Sequence, residues 1–171
     1  MSVPVHVDRG RGGRDKGAAA VEFALVMPIF FLLLMGIINY GFWFSDSLQM
    51  RQGVRESARQ AVVQHAYTAS PCTSLTGMNN VACGTRSQLS SFATPYLKIF
   101  VPSPGTWARG QQVVVCGVVQ AKSFTNFVPM PASGVIRSQT TMSIENDTAP
   151  APAAMEDTLP AGLGGWSWCT A

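Results

Sequence analysis

Residues 17–44 read GAAAVEFALVMPIFFLLLMGIINYGFWF, and this stretch decides what kind of molecule the chain is. From Phe23 to Ile38 sixteen consecutive side chains lack a polar group, and after Asn39 the apolar character resumes as far as Phe44. A run of that length is expected to cross a bilayer as a single helix. Glu22 is its one carboxylate, and a carboxylate in such a setting is costly unless it has a task. Its place about one turn inside the apolar run lets it reach toward headgroups.

Working outward toward the N-terminus, Arg9, Arg11, Arg14 and Lys16 alternate with Asp8, Asp15 and three glycines. A short leader of this composition is expected to be disordered. Basic residues beside the start of a span favour a cytoplasmic N-terminus and a C-terminal portion outside, although Arg51, Arg55 and Arg59 beyond the span weaken the asymmetry. No A-x-A-like site closes the span as a secretory signal would require, so the apolar helix is expected to be retained.

The order of these parts, a basic leader, Gly17, Ala18-Ala19-Ala20-Val21, Glu22-Phe23 and then the span, resembles the processing site of type IV prepilins. In particular it resembles the TadE-like pseudopilins of tight-adherence (Flp) pilus systems. The resemblance implies that a membrane-embedded prepilin peptidase cuts after Gly17, making Ala18 the mature N-terminus and Glu22 its fifth residue. It also implies a role for Glu22, whose carboxylate would neutralise the new terminal amine of a neighbouring subunit in the filament. The implied partners are the peptidase, the inner-membrane assembly platform with its ATPase, the Flp major pilin and a sister pseudopilin. The implied location is the bacterial cytoplasmic membrane as a single-pass protein, or the pilus itself. Major Flp pilins are little more than the hydrophobic helix, so a chain with a large head is expected to be a minor pilin.

Downstream, residues 45–66 keep helical spacing, and within them DSLQMRQGVRESARQAVV (46–63) resembles the second half of the TadE-like N-terminal helix. Leu48, Val54, Ala58, Ala61, Val62 and His65 make one face, with Arg51, Arg55 and Arg59 at i, i+4 on another. An unbroken helix over residues 18–66 would be about 73 Å long at 1.5 Å per residue. The arginine stripe reads first as a solvated face and second as a surface for anionic headgroups or an acidic partner. Ser70-Pro71 is the expected stop, and Gly53 costs this helix about 1 kcal/mol relative to alanine.

Past the stop, residues 72–85 are polar and turn-rich, and residues 86–98 read as a short helix interrupted by Pro95. Residues 112–121 (QVVVCGVVQA) are the strongest strand signal. Residues 134–144 form a second strand, with Ile136, Ser138, Thr140, Met142 and Ile144 on one face and Arg137, Gln139, Thr141 and Ser143 on the other. The proline-bearing connection between the two suits a wide antiparallel hairpin. In an oxidising compartment Cys72 and Cys83 can close a short loop, leaving Cys116 and Cys169 as a second pair; four cysteines allow three pairings. Residues 148–171 are rich in Pro, Ala and Gly, yet end in Trp166, Trp168 and Cys169, so the last residues are expected to dock on the head.

The expected fold class is α+β, a long transmembrane helix and stalk followed by a small head with a short helix and antiparallel strands. The expected segments are a leader (1–17), a span (18–44), a helical stalk (45–70), a head (71–147) and a tail (148–171). A net charge of +3 over 171 residues, with no basic patch interleaved with aromatics, argues against nucleic acid. The cysteines lack the spacing of a zinc site, no triad or phosphate loop is assembled, and neither metal, cofactor nor enzymatic activity is expected. The alternative is an uncleaved single-pass anchor presenting an extracytoplasmic binding domain.

Overall fold

The computed structural model describes residues 12–89, 94–123 and 128–170. Its first element is one helix, α1, spanning Gly12–Val63 with Pro28 inside it. The chain divides into two compact units, Met1–Ile38 and Asn39–Ala171.

In the first unit every described side chain from residue 17 to 38 is exposed or only partly covered. Phe23, Leu25, Ile29 and Leu33 all stand open. The apolar window has a mean hydropathy of 2.5 and none of it is buried. Each such side chain left in water forgoes about 1.5–3 kcal/mol of burial, so this surface calls for an apolar surrounding. The last residues of the leader, 12–16, are helical rather than disordered; residues 1–11 lie outside the described residues.

The second unit is built on a four-stranded antiparallel sheet of order β3-β2-β1-β4, with β1 at Tyr96–Phe100, β2 at Gln112–Gln120, β3 at Val135–Ser143 and β4 at Met155–Glu156. The two long strands pair from Gln112↔Ser143 to Gln120↔Val135, the expected antiparallel arrangement. On β3, Ile136 points inward while Arg137, Gln139, Thr141 and Ser143 face out, as the alternation predicts. The uninterrupted apolar run of β2 has a simple cause, since Val113 through Val119 are buried on both faces of the sheet. One face packs on Met50, Val54, Ala58, Ala61 and Val62 of α1, and on Met78, Val81 and Ala82 of helix α2, Gly77–Gln88. The other face, Val114, Cys116 and Val118, is covered by Leu163, Trp166 and Cys169 of the tail. The head is therefore three layers: helices, sheet and tail.

Small residues set the spacing of the first two layers. A Cβ at Gly117 would lie 2.6 Å from Met50 Sδ and 2.7 Å from Val54 Cγ2. A Cβ at Gly53 would meet the Leu89 side chain at 2.3 Å, which accounts for a glycine inside an otherwise good helix.

Several expectations need correction. Helix α1 ends at Val63, before Ser70-Pro71. Gln64 turns left-handed at φ 54°, its N–H donating to Ala61 O and that of His65 to Gln60 O, the two-bond closure that satisfies the final carbonyls of a helix. Leu48 and His65 are exposed, and Met50 takes the inward place. Residues 72–85 are a 3-10 turn, Cys72–Ser74, followed by most of α2 rather than a loop. Met78, Val81, Ala82 and Thr85, all buried, fall at i, i+3, i+4 and i+7, a helical period masked by the turn-forming residues around it. The helix expected over residues 86–98 is replaced by the last turn of α2 and strand β1, whose inward residues are Leu97 and Ile99. Five register pairs with β2 outweigh the local helical pattern, and Pro95 removes a donor the helix would need. Phe92 and Ala93 of that expected helix lie outside the described residues.

Candidate functional site

Gly17, Ala18, Glu22 and Phe23 all lie in α1 and all are exposed. Ala18 and Glu22 are four residues apart, so they share one face of the helix a turn from each other. Gly17 has open space where a side chain would be. The Gly17–Ala18 peptide bond is thus exposed, and it is held in helical backbone.

Past the span, Arg51, Arg55 and Arg59 are exposed as a stripe. Arg59 is engaged by Glu56, Nε donating at 2.9 Å and Nη2 at 2.7 Å, while Gln60 Nε2 donates to the same carboxylate at 2.6 Å. These bonds, the Arg59 pair first, pull the Glu56 carboxyl down from 4.5 to about 2. Helix α1 therefore carries a locally neutralised turn at Glu56–Arg59 and leaves Arg51 and Arg55 facing outward.

The head is held by two disulfides, Cys72–Cys83 and Cys116–Cys169, with Cα–Cα separations of 5.6 and 6.0 Å. The first staples the 3-10 turn to α2, and the second fixes the tail to the central strand. Three polar side chains that no sequence pattern singles out complete the clamp. Asn80 is buried and fully used, its Nδ2 donating to the carbonyls of Tyr67, Cys72 and Leu75 and its Oδ1 accepting from the Tyr67 N–H. Asp157 accepts from Arg86 and, at 2.8 Å, from the Leu97 N–H, while its carbonyl accepts from Trp166 Nε1 at 3.0 Å. Tyr40 donates from Oη to the Pro129 carbonyl at 3.0 Å. Their one sequence signal is a polar residue inside an apolar or linker-like stretch, and that signal names no partner.

A groove of about 290 Å³ opens beside His65, lined by Gln64, Thr76, Met78, Asn80 and Pro150 among others. Its buried amide, Asn80, is already satisfied by the backbone and is not free for a ligand. Among the described residues no three or more His, Cys, Asp or Glu side chains gather to hold a metal ion.

These features define a class: an N-terminal helix long and apolar enough to anchor in a membrane, continued by a disulfide-bonded α+β head. More narrowly, residues 17–59 match the model of the TadE-like protein family, the family whose resemblance the Gly17 to Phe23 motif carries. The match runs from Gly17 to the Glu56–Arg59 turn and takes in both the apolar segment and the arginine stripe. No curated protein matches the chain. No solved structure matches it either.

Proposed function

We propose that this chain is a minor pilin or pseudopilin of a tight-adherence pilus system, processed after Gly17 and taking part in pilus biogenesis without catalytic activity of its own. The observation that carries the reading is the TadE-like match, whose first residue is Gly17 itself. In support, Ala18 and Glu22 are exposed one turn apart at the head of an unburied apolar helix. A cut there leaves an ammonium beside a carboxylate of the same chain and within reach of a neighbour's, and pairing them removes two lone charges from a low-dielectric setting. On this reading the head lies outside the cytoplasmic membrane, where both disulfides persist. The partners are the prepilin peptidase, the assembly platform, the major pilin and a sister pseudopilin.

One observation favours the second reading, an uncleaved anchor with an extracytoplasmic binding head. Helix α1 runs without a break through the scissile bond, so processing requires local unwinding at Gly17, where glycine lowers the helix's stability by about 1 kcal/mol.

Intact mass and N-terminal sequencing of the protein from membranes of a host with its own prepilin peptidase separate the two. Wild type is expected to begin at Ala18, the Gly17→Ala variant to keep its leader, and Glu22→Ala to be cut yet fail to enter filaments. A leader retained in wild type and variant alike sinks the pilin reading in favour of the anchor.

A further inference from the structure

The head packs on α1 much closer to the apolar segment than composition suggests. Asn39, the residue after Ile38, is 2% exposed, and Trp43 packs against the head's main core. Through the bond from Tyr40 Oη to the Pro129 carbonyl, Pro129 is held at the level of Tyr40. On the same helical turns Phe44 and Leu48 remain 59% and 43% exposed, Tyr40 stays 45% exposed beside its bond to Pro129, and the next charge after them on that stripe is Arg51.

Depth can be counted along the chain. A hydrocarbon core of about 30 Å takes up about twenty helical residues, and starting from Phe23, just after Glu22, these are used up at Phe42. Tyr40 and the backbone bonded to it fall at the boundary between acyl chains and headgroups. The groups gathered there suit that boundary. Pro129 is exposed, Val128, Met130 and Pro131 are half-buried, and Lys122 stands exposed beside them. Proline and valine offer apolar atoms without charge, Tyr40 is of an aromatic type that favours headgroup level, and Lys122 can reach lipid phosphates.

We propose that this end of the head, Tyr40 and Phe44 with Lys122 and residues 128–131, is a membrane-contact surface. It rests in the headgroup layer of the bilayer that α1 enters, with Val128 and Pro129 at the acyl boundary and Lys122 on anionic phosphates. The occupant is lipid, because the surface continues the apolar segment at a counted depth where lipid is already the solvent. The inference rests on the single-span reading of α1.

The test uses the full chain with a fifth cysteine, Val128→Cys or Pro129→Cys, the other four being disulfide-bonded. An NBD label is attached and the protein reconstituted at high lipid excess in phosphatidylethanolamine/phosphatidylglycerol vesicles. A label at Gln111→Cys, just before the opposite end of β2, a strand that rises about 27 Å over its length, is the reference. Labels at 128 and 129 are expected to be quenched at least twofold more than the one at 111 by nitroxides near the acyl carbonyl, and to be shielded from aqueous iodide. Iodide quenching equal to that at 111 would overturn the proposal, as would shielding that disappears on tenfold dilution of protein in lipid, which identifies a second copy as the cover. Failure of the chain to resist carbonate extraction removes the span reading and this inference together. Carbonate-resistant protein with water-exposed labels removes the inference alone.

Discussion

Helix α1 is one secondary-structure element in two opposite surroundings. From residue 17 to 38 its large side chains are exposed or only partly covered and none is buried, whereas from Asn39 to Val62 it buries a stripe of Met50, Val54, Ala58 and Ala61 and leaves its arginines outside. Both halves satisfy their backbone internally, so hydrogen bonding cannot tell them apart. The distribution of apolar side chains does, since a helix apolar all round asks for lipid and a striped one asks for a protein partner. The contrast implies that stability of the folded unit resides in the second half and its partners, and that the first half answers to a different solvent.

The sharpest way to break that division is to release the tail. Cys116→Ser with Cys169→Ser should lower the head's stability by about 2–5 kcal/mol, read by denaturant unfolding of the full chain in detergent. Trp166 fluorescence should shift red as the tail lifts from β2. Closing the space between α1 and β2 comes next. Gly117→Ala sets a methyl group against Met50 and Val54 and should cost about 1–3 kcal/mol in the same assay, without altering membrane insertion.

Asp157→Ala strands the Arg86 guanidinium and the Leu97 N–H, which should cost about 1–3 kcal/mol and expose the β1 end of the tail to proteolysis. Smaller again is the Glu56 pair. Its carboxyl is held at about 2 in the folded head against an ordinary 4.5, so its contribution is complete above pH 4.5 and is lost as pH falls from there toward 2. Because the Glu56 side chain is 36% exposed and Arg59 more so, the effect should stay under about 1 kcal/mol, and Glu56→Gln should flatten that limb of the pH–stability curve. At the bottom of the scale, Leu33→Ala in the bare half should leave head unfolding unchanged within about 0.5 kcal/mol. A larger change would show that the two halves of α1 are not independent.

The anchor and the motif at Gly17 to Phe23 were readable from residues alone because each depends on local pattern: an uninterrupted apolar run and one carboxylate at its edge. Strands β2 and β3 were readable for a related reason, β-branched density being a property of the chain itself, whereas spacing favoured only the short Cys72–Cys83 loop and the structure decided among the three pairings. Where the reading failed, a long-range partner had overruled a local preference. Residues 96–98 close a helical pattern that begins at Arg86, yet they became part of β1 because β2 offered a full ladder of hydrogen bonds. The turn-rich composition around Gly77 concealed α2, whose entry is organised by Asn80, an amide whose bonds to Tyr67, Cys72 and Leu75 exist only once those carbonyls are assembled.

The sequence by itself therefore determined that the chain has an apolar helix fit for a membrane, an α+β head and a TadE-like N-terminal segment. Only the tertiary structure decided that the tail is the third layer of the head, that Asp157 and Asn80 hold its parts together, and that packing on α1 begins at Asn39. Solvent preference is written residue by residue, but which residues meet across a fold depends on contacts far apart in the chain. No local pattern encodes the closing of those loops.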